Sequence, residues 1–310
     1  MTYRRFASVG VSIGVAVVLS AAVVARTGQA SASRTKLITL GTGTPAADPD
    51  RFGPATVVLV DDVPYLVDCG VGVVRRWAGV IRNSQLPLRP WDLKTAFITH
   101  LHSDHTLGYG ELIFTQWTLE GVARRGSNPQ RRPLEMYGPA GLRAMTEHTL
   151  AAFAEDIRIR TGAGGEQAGS SGPVVNVHEI EPGVVFKDER VTVTAFPVPH
   201  GTWPQAFGFR FATPDKSIVI SGDTAYSREV ARQCSGCDIL VHEGGRADDA
   251  SPYFKTFHTT AEELGRLAVE ARPKLLILTH QRDANADGLR IIQSIFKGRV
   301  VVASDMQVFD

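Results

Sequence analysis

Short apolar runs bounded by glycine, proline or aspartate dominate the chain after residue 35. Their length and their content of Val, Ile, Phe and Thr are typical of β-strands. They predict strands over 36–41, 56–61, 64–70, 94–100, 133–138, 190–198, 207–213, 216–223, 238–244, 273–280 and 298–305. Helical patterns are predicted over 108–119, 140–156 and 259–271. Strands followed by helices, twice over, predict an α/β fold, a four-layer αβ/βα sandwich with two sheets face to face and helices outside.

The first 32 residues follow a different pattern. Arg4 and Arg5 precede an uncharged apolar run, and Ala-Ser-Ala follows it at 30–32. These are the parts of a secretory signal peptide. The run is also near the length that spans a bilayer, so an uncleaved membrane anchor is the alternative. We therefore predict a signal peptide or anchor over 1–32 and one exported domain over 33–310, which is periplasmic, secreted or tethered to the outer face of the membrane.

The composition is that of a globular protein, with 43% apolar and 21% charged residues. Without residues 1–32 the net charge falls from +1 to −2, because three arginines and no acid are lost. A slightly acidic domain has no overall attraction for nucleic acid. Arginines 124, 125, 131 and 132 form a local basic patch, which we interpret as a solvated loop.

The chain has three cysteines. Cys234 and Cys237 form a C-x-x-C pair that can close a disulfide in an oxidising compartment, and the sequence alone leaves this open. A structural zinc site would need two more ligands, and there is no second C-x-x-C pair. Cys69 follows an apolar run, and we interpret it as a buried free thiol.

Side chains of the kinds that bind metals follow many of the predicted strands: His100, His200, Asp223, His242, Glu243 and His280. The first of them opens the cluster His-Leu-His-Ser-Asp-His at 100–105. His100 and His102 lie on the same side of an extended segment, so they can bind one ion. Asp104 and His105 follow the turn and suit a second ion nearby. Imidazole and carboxylate ligands without cysteine favour zinc, or else manganese or iron.

The motif His-x-His-x-Asp-His after an apolar strand resembles that of the metallo-β-lactamase superfamily. Further segments resemble its ribonuclease Z and arylsulfatase-like branch: GTGTP (41–45), VDCG (67–70), SGDT (221–224), VHEG (241–244), HTTAEELG (258–265) and LILTH (276–280). The resemblance covers about residues 37–310. It implies a sandwich of the metallo-β-lactamase type.

The resemblance also implies two Zn²⁺ ions per chain, with Mn²⁺ or Fe as alternatives. The implied ligands are His100, His102 and His200 for the first ion, Asp104, His105 and His280 for the second, and Asp223 for both. A hydroxide shared by the two ions would be the nucleophile.

Asp104, Glu243 and His258 are the implied catalytic residues. In the ribonuclease Z branch the corresponding Glu and His act together, so Glu243 would orient His258 as general acid. The alternative is that Glu243 only supports a ligand histidine. The branch often has Ala-Thr after His-Glu, whereas this chain has Gly244-Gly245. That departure puts the strength of the Glu243–His258 pairing in doubt.

Two metals and a general acid suit an ester with a poor leaving group. We therefore predict an exported dinuclear zinc hydrolase that cleaves phosphodiester or sulfate ester bonds of small molecules. Ribonuclease Z grips tRNA with a long arm between the third metal histidine and the bridging aspartate. Only 22 residues separate His200 from Asp223, which leaves no room for an arm. Trp203, Tyr109 and Tyr226 lie near ligands in sequence and could form an aromatic wall.

Four alternatives remain open. They are a lactonase, a β-lactamase-like hydrolase, a ribonuclease Z-like endoribonuclease that acts on RNA without the tRNA-binding arm, and, least favoured, a non-enzymatic metal-binding relative. The expected partner is a small-molecule ester substrate, and nucleic acid is not expected. A membrane would be a partner only if the N-terminal segment stays uncleaved, and a homodimer is left open.

Overall fold

The computed structural model describes residues 1–2, 34–123, 132–246, 251–282 and 285–310. The chain divides into two units, Met1–Ala32 and Ser33–Asp310. The predicted signal peptide or anchor and arginines 124, 125 and 131 of the predicted basic patch lie outside the described residues. No helix in the described ranges is both long and apolar enough to cross a membrane.

Fourteen strands are found in the described part of the chain. They are β1 Thr35–Gly41, β2 Ala55–Val60, β3 Val63–Val67, β4 Thr95–Phe97, β5 Leu134–Gly138, β6 Val175–Glu179, β7 Gly183–Lys187, β8 Thr192–Pro197, β9 Phe207–Ala212, β10 Ser217–Ile220, β11 Ile239–His242, β12 Leu275–Leu278, β13 Arg299–Val302 and β14 Gln307–Phe309. Strands β2 and β12 are buried along their whole length, as expected for strands covered on both faces.

The described helices are α1 Val73–Ser84, α2 Ser103–Thr106, α3 Tyr109–Ala123, α4 Leu142–Ala152, α5 Ala154–Thr161, α6 Arg228–Cys234, α7 Pro252–Phe257, α8 Ala261–Ala271 and α9 Ala286–Ile295, with a 3₁₀ helix at Pro90–Asp92. The start of α8 shows why the sequence folds locally as it does. The Thr260 side chain accepts from Glu263 N while the Glu263 carboxylate accepts from Thr260 N, which is a capping box.

The strands form two seven-stranded sheets, in the orders β14-β1-β2-β3-β4-β5-β6 and β13-β12-β11-β10-β9-β8-β7. The sheets pack face to face, with Phe97 of the first against Phe209 and Phe211 of the second at ring-centroid distances of 5.5 and 5.6 Å. The outer face of the first sheet packs against α1, α3 and α4, and that of the second against α6, α8 and α9. The predicted αβ/βα sandwich is confirmed.

Each sheet has a parallel half, β3 to β6 in one and β10 to β13 in the other. The carboxyl ends of parallel strands lie at one edge of a sheet, which is where ligand sites form in such folds. Asp68, Asp223, Glu243 and His280 come directly or shortly after β3, β10, β11 and β12. The parallel halves therefore position most of the candidate site.

The structure departs from the sequence-based elements in several places. The predicted helix over 140–156 is two helices, α4 and α5, which break at Phe153. Strands β6, β7 and β14 and helices α1, α2, α6, α7 and α9 were not predicted. β6 and β7 lie at sheet edges and are half exposed, so their apolar pattern is weak.

Cys234, the last residue of α6, forms a disulfide with Cys237, which lies two residues before β11. Cys69 is a buried free thiol. The structure thus settles the pairing that the sequence left open. The two half-cystines are buried among apolar residues of α6 and α8, so the bridge fixes the turn that leads into β11.

We expect the double substitution Cys234→Ala and Cys237→Ala to lower the free energy of unfolding by about 2 kcal/mol. The bridge closes only a short loop, and closure entropy is small for short loops. Urea denaturation of the domain measures the difference. Wild-type protein kept in reductant should show a similar loss, and no change under either condition would contradict a stabilising bridge.

Candidate metal centre

Three histidines from distant parts of the chain converge at the edge of the two sheets. Nδ1 of His102 lies 2.8 Å from Nε2 of His100 and 3.1 Å from Nε2 of His200. His100 and His200 are buried and His102 is half-buried. One nitrogen of each ring therefore points to a common position, and the three atoms lie close enough to hold one metal ion.

A second group lies directly beside the first. Nε2 of His280 donates to Asp104 Oδ2 at 3.1 Å, and Nε2 of His105 lies 3.6 Å from the same oxygen. Asp223 approaches His105 through Oδ1 and His280 through Oδ2, both at 3.4 Å. Asp223 also groups with His100 and His105, so its carboxylate lies between the two sets. All seven residues that the sequence singled out as ligands are thus brought together.

Asp68 fixes the segment 99–105, which follows β4, by three hydrogen bonds. Its carboxylate accepts from the Thr99 amide at 2.8 Å, from the Thr99 hydroxyl at 3.0 Å and from His105 Nδ1 at 2.8 Å. Asp68 itself adopts a left-handed backbone conformation, with φ 61°. This turn costs about 1–2 kcal/mol for a residue other than glycine and brings the carboxylate back under the cluster.

The donor set fits divalent metal ions. His200 Nδ1 donates to the Phe257 carbonyl at 2.8 Å and His105 Nδ1 donates to Asp68, so Nε2 of each ring faces the cluster. Such outer partners fix the tautomer of metal-binding histidines. His105 Nε2 is buried and has no hydrogen-bond partner, although it faces the oxygens of Asp104 and Asp223. A buried, unpaired imidazole nitrogen facing two carboxylates suits a metal ligand.

The charges in the cluster depend strongly on one another. Burial would raise the pKa of Asp223, but His280 and His105 hold it well below its usual range. Burial would lower the pKa of His105, but Asp223 and Asp68 raise it well above its usual range. Burial, together with neighbouring imidazoles, lowers the pKa of His100 well below its usual range. The cluster therefore combines ionised carboxylates with at least one neutral imidazole, which is the form that binds metals.

The Glu243–His258 pair lies next to the cluster. His258 Nδ1 donates to Glu243 Oε2 at 3.1 Å, and Glu243 Oε1 accepts from the Thr259 amide at 3.1 Å. Burial alone would lower the pKa of His258, but the hydrogen bond and charge of Glu243 raise it to about 9. The pairing that the sequence put in doubt is therefore made. His242 is buried and donates through Nδ1 to the carbonyl of Glu243.

The turn after Glu243 is tightly held. Gly244 and Gly245 both have left-handed backbones, with φ 77° and 75°. Gly245 N donates to the Thr259 carbonyl at 2.9 Å, and Gln281 Nε2 donates to the Gly244 carbonyl at 2.7 Å. A Cβ on Gly244 would lie 2.6 Å from the Thr259 carbonyl oxygen. The Gly-Gly turn thus holds Glu243 within hydrogen-bonding distance of His258.

Of the three aromatic residues that could form a wall of the site or pack beneath it, Trp203 contacts a ligand candidate. Its indole Nε1 donates to His102 Nε2 at 2.8 Å. Tyr109 is buried and bonds to Thr146, and Tyr226 packs against the helices of the second sheet. Sequence reasoning gave no role to Asp68, although it follows a predicted strand as the ligands do.

The described structure between His200 and Asp223 holds β9 and β10, joined by a four-residue turn at 213–216. It contains no projecting arm, as the sequence predicted.

Comparisons with known proteins agree with this architecture. A family model described as a beta-lactamase superfamily domain matches residues 64–281. Ribonuclease Z from Mycobacterium bovis (strain BCG / Pasteur 1173P2) is 32% identical over 279 residues, which are 86% of this chain and 95% of that protein. Ribonuclease Z from Mycobacterium sp. (strain KMS) is 33% identical over 258 residues, 80% of this chain and 85% of that protein.

Solved structures give the same picture. The short form of human tRNase Z matches with a TM-score of 0.64 and 26% identity, over 89% of this chain and 98% of that chain. The metallo-beta-lactamase fold protein YhfI from Bacillus subtilis matches with a TM-score of 0.67 and 20% identity, over 89% and 98% of the two chains. The second likeness concerns the fold alone.

The ribonuclease Z relatives overturn two predictions made from the sequence. A hydrolase of small-molecule esters was the wrong function, and the expectation that nucleic acid is not a partner was wrong. The net charge of −2 describes the whole domain and says nothing about the charges beside the site. A missing arm removes one way to hold RNA, not the chemistry that cleaves it. Where the protein is located stays a prediction.

We expect Gly244→Ala to lower the free energy of unfolding by more than about 2 kcal/mol. The left-handed backbone alone costs about 1–2 kcal/mol, and the added Cβ also meets the Thr259 carbonyl. Gly236→Ala is the matched control, since φ is 85° and no atom lies within 4 Å of its Cβ. Urea denaturation compares the two. Equal losses of unfolding free energy in the two variants would show that the turn after Glu243 can adjust to a Cβ without cost, which would contradict the prediction.

Proposed function

This chain belongs to the metallo-β-lactamase superfamily and to its ribonuclease Z branch, which makes it a metal-dependent hydrolase, and we propose that its substrate is RNA. The proposed activity is that of an endoribonuclease that needs no tRNA-binding arm. The observation that carries it is the pairing of a seven-residue ligand cluster with Glu243 and His258. Ribonuclease Z relatives that match most of the chain support the same substrate class.

In this proposal two divalent metal ions, zinc before manganese or iron, are held by the cluster. The first would be bound by His100, His102 and His200, the second by Asp104, His105 and His280, and both by Asp223. When bound, such ions supply Lewis acidity, which lowers the pKa of a water molecule and neutralises charge on a phosphodiester. Asp68 and the Phe257 carbonyl keep their imidazoles oriented for this purpose.

His258 is the proposed proton donor to the leaving oxygen. Glu243 holds Nδ1 of the ring, so Nε2, the nitrogen across the ring, is the one that can release a proton. Glu243 is itself fixed by the Thr259 amide, which prevents the carboxylate from turning away. A positioned imidazole of this kind typically contributes 10²–10⁴-fold to the rate.

We expect the metal-loaded protein to cleave RNA with little dependence on tRNA structure. Without an arm, recognition is local, so kcat/KM for a precursor tRNA with a 3′ trailer and for an unstructured RNA of equal length should agree within about tenfold. Labelled substrates in a time course measure both values. The Asp223→Ala variant, purified alongside, must be inactive, since residual activity would reveal a contaminating nuclease.

Two outcomes would count against the proposal. A wild-type preparation that contains metal but cleaves neither RNA would remove RNA as the substrate class. A preference for the precursor tRNA of more than about 10³-fold would keep the ribonuclease but contradict local recognition, because a gap of about 4 kcal/mol requires contacts far from the cut.

Asp223→Ala and His258→Ala should differ in metal content. Asp223 contacts both ligand groups, so its loss should remove most bound metal and all activity. His258→Ala should retain metal and lose activity by about 10²–10⁴-fold. Elemental analysis and kinetics on the same samples give both quantities. Equal metal loss in the two variants would make His258 a ligand and not the proton donor.

A further inference from the structure

A cavity of about 340 Å³ opens beside the candidate metal centre. His102, His258 and His280 contribute to its lining, so it is continuous with the proposed site of cleavage. Its volume lies at the low end of the range for ligand pockets, which is about 300–1,000 Å³. It has room for one unit of a polymer and not for a folded RNA.

One side of the cavity is aromatic and comes from α7. Tyr253, Phe254 and Phe257 all line it. Phe257 is fixed, because its ring packs edge-on against His200 at a centroid distance of 5.5 Å. The ring centroids of Tyr253 and Phe257 lie 5.1 Å apart, and Tyr253 is 77% exposed. An exposed tyrosine supported by a fixed phenylalanine, next to a catalytic cluster, offers a flat surface on which a base can stack.

The same cavity is cationic. Arg246 follows the Gly244-Gly245 turn, and its backbone is tied to the start of α8 by the Arg246–Thr260 bridge and by a hydrogen bond from Ala261 N. Arg282 follows the ligand His280 by two residues and is exposed. Among the described lining residues Glu243 is the only acid, and it is engaged by His258. Guanidinium groups in this setting bind phosphate.

We infer that this cavity is a subsite for the nucleotide next to the scissile phosphate, with the base on Tyr253 and a backbone phosphate on Arg282. The inference rests on the proposed function, because it supplies the local grip that a ribonuclease without an arm requires. The aromatic surface would bind the base and the arginines would bind the phosphate. The two features together, and neither alone, indicate a nucleotide as the ligand. Stacking on an aromatic side chain accepts any base, so the subsite selects for a nucleotide and not for a sequence.

Direct binding tests the subsite without any turnover. Adenosine 5′-monophosphate and ribose 5-phosphate are titrated calorimetrically into the metal-loaded full chain. Wild-type protein should bind the nucleotide about tenfold more tightly than the base-free sugar phosphate. Tyr253→Ala should abolish that difference and Tyr253→Phe should retain it. Arg282→Ala should weaken both ligands about tenfold and leave their ratio unchanged.

Matched controls come from exposed residues outside the cavity. Phe153→Ala removes an exposed aromatic ring and Arg266→Ala an exposed arginine of α8, and both should leave the two affinities unchanged. Equal affinity for the two ligands in wild-type protein, or equal effects of Tyr253→Ala and Phe153→Ala, would overturn the subsite. Each variant is first shown to have the wild-type unfolding midpoint.

A kinetic experiment separates the subsite from the proposed function. Tyr253→Ala should lower kcat/KM about tenfold on an unstructured RNA and have no effect when the residue next to the cleavage site is abasic. An equal loss on both RNAs would assign Tyr253 a structural role. A wild-type protein that binds the nucleotide more tightly but cleaves no RNA would sink the ribonuclease proposal while the subsite stands. A wild-type protein that cleaves RNA but binds the nucleotide no more tightly than the sugar phosphate would overturn the subsite while the ribonuclease proposal stands.

Discussion

Three carboxylates, those of Asp68, Asp104 and Asp223, are buried in one cluster of imidazoles, and their charge has to be balanced. A buried carboxylate is costly unless it is paired and hydrogen-bonded, so none of the three could be placed there alone. The rest of the architecture meets this constraint. Parallel strands of both sheets end at one edge, Asp68 supports His105 from behind, and the left-handed residues after β3 and β12 turn their side chains into the cluster. The negative charge of the carboxylates must be balanced by a positive charge in the cluster. That charge can be a protonated imidazole or a metal ion.

The sequence was informative wherever the signal was local. Strand patterns followed by helical patterns predicted the sandwich, and the family resemblance implied the seven ligand candidates. A histidine or aspartate directly after an apolar run marked where most of them lie, at the carboxyl ends of strands. The same rule applied to Asp68 would have added the residue that supports them. Strands β6 and β7 were missed because they are five-residue edge strands with only two and three apolar residues, and they are half exposed. Helix α7, at six residues, is too short for periodicity to detect.

Substrate class could not be read from the chain in the same way. Net charge is a property of the whole surface, whereas the cavity beside the metal centre gathers Arg246 and Arg282 from two separate loops and Tyr253 from a short helix. No sequence pattern joins these residues, since the fold alone brings them together. The turn at Gly244-Gly245 makes the same point. As a departure from Ala-Thr, it put the Glu243–His258 pairing in doubt. In the structure its backbone is hydrogen-bonded to Thr259 and Gln281, and Arg246 follows it at the cavity.

The ligand candidates are shared between the two layers of the sandwich. His100, His102 and His105 follow a strand of the first sheet, and His200, Asp223 and His280 follow strands of the second. A metal ion held among them would act as a clasp between the sheets. By thermodynamic linkage, its binding free energy would then add to the free energy that keeps the layers together. Because the Phe97–Phe209 contact joins the two layers, a substitution that weakens it would also weaken the binding of the ion.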